Sequence, residues 1–161
     1  MRSLHDQTAE GRLEVSLYME STGIPAEKTA AEITYVLVQA GATQTYNRFE
    51  NKKLVGLSFT LPISGKDVPF CLPVRTKPVF DYLQRRRPST TRQKKAESDM
   101  EQAERVAWRQ LLRWIQAQLA MIDTGMVQSA EVFMPYVEVS PGVTLFQKMV
   151  DNGRLLQAVN Q

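Results

Sequence analysis

Residues 99–123, DMEQAERVAWRQLLRWIQAQLAMID, constrain this chain more than any other stretch. Ala103, Val106, Ala107, Leu111, Leu112, Trp114, Ile115, Leu119 and Ile122 recur at spacings of three and four. That period puts a wide apolar stripe along one side of a helix, with Trp108 and Met121 at its margins. Arg105, Arg109 and Arg113, spaced four apart, are assigned to the polar side with Gln102 and Gln116. Glu101 stands one turn before Arg105, as a surface ion pair requires. Ser98 or Asp99 is the expected cap, acids at 99, 101 and 104 suit the positive end of the helix dipole, and Gly125 suits a left-handed stop. A stripe this wide needs a partner surface, which earlier residues must supply.

The preceding sequence reads as that surface. Residues 25–40 predict a helix, opened by Pro25, closed by Gly41, and facing inward with Ala30, Ile33, Val36, Leu37 and Ala40. Three alternating segments, 42–49, 54–63 and 68–74, predict a meander joined by the loops ENKK (50–53) and SGKD (64–67). Pro69 and Pro73 cannot donate to a ladder, so the third strand is expected at an edge. Residues 76–85 predict a short helix on Val79, Phe80 and Leu83. Beyond the long helix, residues 129–134 predict a helical turn stopped by Pro135, and 143–150 a last helix. The fold class is therefore α+β: helix, three-stranded antiparallel meander, helix (α-β-β-β-α), followed by a long helix and short C-terminal helices. The expected divisions are a leader (1–23) with a strand at 12–19, the α-β-β-β-α unit (24–85), a basic flexible linker (86–98), and a helical part (99–161) packing on the same core.

Several functions are disfavoured by composition. No apolar run is long enough to span a membrane, and the first fifteen residues lack a signal-peptide core. A cytoplasmic location in a host cell is the expectation. The single cysteine, Cys71, precludes an internal disulfide and reads as a buried apolar thiol. The single histidine, His5, leaves no positioned imidazole for a zinc site or a nucleophile–base pair. Glu50-Asn51-Lys52 has the Glu-x-Lys form of some magnesium-dependent nucleases, but the nearest preceding acid, Glu32, lies on a helix, and ENKK suits a hairpin loop. No catalytic residue, metal ligand or cofactor is assigned, and the chain is not read as an enzyme.

Charge, in contrast, is concentrated. Residues 75–95 hold eight of the twenty Lys and Arg but one of the seventeen acids, Asp81, which makes the segment +7 and the remainder −4. Clustered cations release counterions from a phosphate backbone and so bind it without sequence preference. The candidate nucleic-acid-binding residues are Arg75, Lys77, Arg85, Arg86, Arg87, Arg92, Lys94 and Lys95, extended by Arg105, Arg109 and Arg113. The competing readings are a solvated tether and an exposed helix face. A second functional class is a protein-interaction module, an adaptor or an inhibitor of a host enzyme or defence complex. It rests on the lack of catalytic groups, the exposed edge expected at 68–74, and Met121, Met126, Met134 and Met149 near the C-terminal helices. A homodimer is a further expectation, from the width of the long helix's stripe.

Three segments carry a family resemblance: IPAEKTAAEI (24–33), VPFCLPVRTKPVF (68–80) and QAERVAWRQLLRWIQAQLAMIDTGMVQSAEVFMPYV (102–137). They resemble a family of small bacteriophage and prophage proteins with no assigned activity. The resemblance implies a phage or prophage origin and an intracellular role in infection or lysogeny, and it transfers no catalytic residue; host or phage proteins as partners belong to the interaction-module reading. The order helix, three strands, helix is also similar to that of double-stranded RNA-binding domains, which read A-form shape and phosphates.

Overall fold

The computed structural model describes residues 16–86 and 96–153. Helix α1 spans Ala26–Gln39, strands β1, β2 and β3 span Gln44–Glu50, Lys53–Ile63 and Lys66–Pro73, and helix α2 spans Thr76–Arg85. The long helix α3 spans Ala96–Asp123. Helix α4 (Ser129–Phe133), a 3-10 turn (Met134–Tyr136), strands β4 (Glu138–Ser140) and β5 (Val143–Thr144) and helix α5 (Leu145–Asp151) complete the described chain. The architecture is α+β. The larger sheet is antiparallel in the order β1-β2-β3. Residues 12–15 of the expected N-terminal strand lie outside the described residues, and 16–19 lead into a turn rather than a strand.

Both hairpins are tighter than the sequence suggests. Glu50 pairs with Lys53 and Ile63 with Lys66, so each loop has only two residues. Asn51, Lys52, Ser64 and Gly65 all have positive φ, as the two-residue turns that match strand twist require. Lys66 and Asp67 consequently belong to β3 rather than to the loop.

Alternation along β2 and β3 separates two faces. Leu57 lies opposite Leu72, Phe59 opposite Phe70, and Leu61 opposite Val68. These residues meet Ala30, Ile33 and Leu37 of α1 and Trp108, Leu112 and Ile115 of α3 in one buried cluster. Trp108 is fully buried, at the centre of the stripe rather than its margin. Phe133 closes the cluster, with ring centroids 5.3 Å from Phe59, 5.7 Å from Phe70 and 5.9 Å from Trp114. Tyr136 stacks edgewise on Trp114 at 5.5 Å. Phe133 and Tyr136 thus clamp the C-terminal segment to α3. Ala40, expected inside, is exposed, while Ala26 and Thr29 are buried in its place.

Three further corrections concern the helices and the sheet edge. Helix α3 starts three residues before Asp99, so neither Ser98 nor Asp99 is its cap. Asp99 is buried and accepts a hydrogen bond from Gln84 Nε2 of α2 at 2.9 Å. Helix α2 has no buried residue and leans chiefly on α3, so the sheet's second covering helix is α3. Strand β3 ends the sheet order, but its outer side is bridged by Val137 at Phe70. Among the described residues the edge that stays open is β1, which carries the exposed Tyr46 and Phe49.

The small β4–β5 hairpin escapes sequence reading and absorbs Val143 and Thr144, so α5 starts at Leu145. Thr144 caps it, accepting from the Gln147 amide while the Gln147 side chain returns to the Thr144 amide. The intervening turn needs Gly142 (φ +74), and a Cβ there would meet Arg48 Nη2 at 2.7 Å. Arg48 in turn donates to Cys71 Sγ at 2.7 Å. Cys71 is therefore buried, but on the sheet face opposite Phe70.

Trp108→Ala should cost about 3–5 kcal/mol, the range for emptying a packed large-residue site. Urea denaturation followed by circular dichroism checks this; a loss below about 1 kcal/mol would remove Trp108 from the centre of the core.

Candidate nucleic-acid interface

The eleven cations singled out by sequence separate into distinct environments. Arg87, Arg92, Lys94 and Lys95 lie outside the described residues. Arg109 does not face solvent: it is 5% exposed and donates from Nη1 and Nη2 to the two carboxylate oxygens of Glu32 at 2.8 and 2.9 Å. This forked pair ties α3 to α1 and removes Arg109 from any phosphate-binding surface. Arg109 Nε and Trp108 Nε1 are buried with no acceptor among the described residues.

Three more arginines hold the turn formed by Leu17–Thr22 against α3. Arg86 pairs with Glu20 at 2.7 Å. Arg113 lies over the Tyr18 ring, 4.7 Å from its centroid. Arg105 donates to Gln102 Oε1 at 3.1 and 2.6 Å, and Gln102 Nε2 donates to the carbonyls of Glu20 and Thr22 at 3.0 Å each. Arg105 thus turns to Gln102, not to Glu101.

The remaining described cations sit on α2. Lys77 pairs with Asp81 one turn along, so the segment's only acid is already neutralised. Arg85 is exposed and flanks the Tyr82 ring with Arg86, at 5.9 and 5.8 Å. Arg75 is exposed at the other end of α2, and no acidic side chain of the described residues pairs with it. It borders two adjoining hollows of about 290 and 480 Å³, which share Pro73, Arg75 and Tyr136. Val79, Leu111 and Trp114 help to line the smaller one, and Pro135 and Phe146 the larger. Sequence reading identified Arg75 as a cation but missed these hollows, because their walls come from β3, α2, α3 and the C-terminal segment.

The Glu50-Asn51-Lys52 match to magnesium-dependent nucleases falls on the β1–β2 hairpin. Asn51 and Lys52 form the two-residue turn, and Glu32 is engaged by Arg109. Among the described residues no cluster of three or more His, Cys, Asp or Glu could hold a metal ion. No described helix is long and apolar enough to cross a membrane. No protein-family model, curated protein or solved structure matches the chain.

Two carboxylates on this framework depart from ordinary behaviour in opposite directions. Hydrogen bonding from Arg109, reinforced by its charge, holds Glu32 below the usual 4.5. Burial, reinforced by Glu27 and Glu101, pushes Glu104 above 4.5 against the pull of Lys53 and Arg105. Glu32 therefore stabilises the fold at pH above its unfolded value, and that contribution disappears as pH falls through its lower folded value. Glu104 acts the other way: stability declines as pH rises from 4.5 through its raised folded value. Glu104→Gln should raise the neutral-pH melting temperature, and Glu32→Gln should lower it. Coupling of Glu32 with Arg109 in a double-mutant cycle should be about 1–2 kcal/mol, below the range for fully buried pairs because Glu32 keeps water on one side. Thermal melts between pH 3 and pH 7, a window set roughly by the reference carboxylate range, check both signs.

Proposed function

We propose that this protein is a non-catalytic accessory protein that binds nucleic acid through its basic segment, in a phage or prophage setting. The carrying observation is the separation of charge: +7 within residues 75–95 and −4 in the rest of the chain. An evenly mixed charge distribution would give no preferred phosphate-binding region, whereas one concentrated run attracts a polyanion to that segment. Two details of the described residues support this reading. Asp81 is neutralised by Lys77, which leaves no uncompensated acid inside the segment. Arg85 and Arg75 remain exposed at the two ends of α2, roughly 15 Å apart by the helical rise over its ten residues.

Arg109 is excluded from the contact set by its burial, and Arg86, Arg105 and Arg113 act first in holding the Leu17–Thr22 turn. The binding residues then reduce to Arg75 and Arg85 together with Arg87, Arg92, Lys94 and Lys95.

The alternative, docking to a host or phage protein, draws support from the open β1 edge, where Tyr46 is 57% and Phe49 is 60% exposed. Exposed strand edges accept an added strand from a partner. A nuclease-resistant complex with one defined protein would favour that reading.

Fluorescence anisotropy with labelled DNA and RNA across a salt series is the direct test. Affinity should fall steeply with salt, and the R85A/R86A/R87A variant should flatten the log–log slope by roughly 2 units, from the loss of Arg85 and Arg87. Loss of the half-exposed Arg86–Glu20 pair should have little effect on folding, which circular dichroism verifies. An unchanged slope in a folded variant would refute the basic-segment reading.

A further inference from the structure

We infer that the paired hollows beside Arg75 are a base-stacking site, which makes single-stranded nucleic acid the ligand class. This rests on the nucleic-acid reading above and specifies it. The larger hollow, about 480 Å³, is walled by Pro73, Pro135, Tyr136 and Phe146, with Arg75 at its border. Flat rings and prolines offer apolar faces, and among the described residues no acidic side chain lines the space. A nucleobase presents a π-face to such walls, and the adjoining phosphate meets the exposed guanidinium of Arg75, with which no acid among the described residues pairs.

The platform is held in place before any ligand arrives. Tyr136 is braced edgewise by Trp114 at 5.5 Å, and Trp114 by Phe133 at 5.9 Å. Phe146 projects from α5, whose first turn is fixed by the Thr144–Gln147 capping box, and it is 43% exposed. Tyr136 therefore loses little freedom on receiving a base, and the helix that carries Phe146 is already set.

Charge complementarity and continuity select this occupant. Arg75 is the first residue of the +7 segment, and α2 leads from it directly to Arg85. A strand anchored by one base in the hollow can run along α2 with its phosphates, from Arg75 towards the exposed Arg85. A base inside a duplex is stacked and cannot enter a recess without leaving its partner, so paired polymers should bind through phosphates alone.

The test uses the full chain and three fluorescein-labelled probes with equal numbers of phosphates: oligothymidylate, its abasic counterpart, and a duplex. Oligothymidylate should bind roughly tenfold more tightly than the abasic chain. F146A should abolish that preference and leave abasic and duplex binding intact, whereas R85A/R86A/R87A should weaken all three. Phe146 is half exposed, so F146A should stay folded; F146W is the conservative variant that should restore the preference. Equal affinity for oligothymidylate and the abasic chain, or a preference that survives F146A, would overturn the base-stacking site while leaving phosphate binding in place. Absence of binding to every probe at low salt would overturn both readings. Light scattering on the same samples covers the remaining occupant: a dimer that F146A dissociates would make the hollow an interface between copies.

Discussion

One face of α3 meeting one face of the β-sheet is the contact on which the rest of the structure depends. Trp108, Leu112 and Ile115 share one buried cluster with Leu57, Phe59, Phe70 and Leu72, to which α1 adds Ala30, Ile33 and Leu37. Burying large apolar side chains is worth roughly 1.5–3 kcal/mol each relative to exposure, so this layer dominates the stabilisation. The two-residue hairpins contribute by bringing β1, β2 and β3 into register with little loop to order. The three strands alone would expose their apolar face; α1 and α3 make the sheet viable by covering it.

Polar residues refine the arrangement that apolar burial permits. Arg109 and Glu32 connect α3 to α1 across 77 positions of sequence, and two directed hydrogen bonds set how the helices lie. Gln102 and Arg86 hold the Leu17–Thr22 turn, and Arg113 covers Tyr18. Much of the arginine content that reads as a ligand surface thus serves the fold. Of the cations left over, Arg75 and Arg85 sit at the two ends of α2, a helix that packs on α3 with none of its residues fully buried.

The C-terminal segment links the core to the candidate site. Phe133 enters the aromatic cluster, Tyr136 follows it against Trp114, and Val137 bridges Phe70. That path places Pro135, Tyr136 and Phe146 next to Pro73 and Arg75. The same anchoring that covers the β3 edge also builds the hollows. Among the described residues the β1 edge is left uncovered, with the bulge at Arg48/Phe49 and the exposed Glu50 as its means of discouraging unwanted pairing.

The sequence by itself determined the elements and their periodicity. Spacings of three and four identified α1 and α3, alternation identified β2 and β3, Gly41 and Gly125 marked helix ends with positive φ, and charge counting located the basic segment. These features are local, so a window of residues contains the signal. Tertiary structure decided which neighbours each face acquired. A helical period cannot show that Arg109 belongs to the interior, because only the distant Glu32 makes its burial tolerable. Nor can it show that Trp108 is central, that Val137 covers β3, or that Pro73 and Phe146 share a hollow. Each depends on residues far apart in the chain being brought together by the burial of α3.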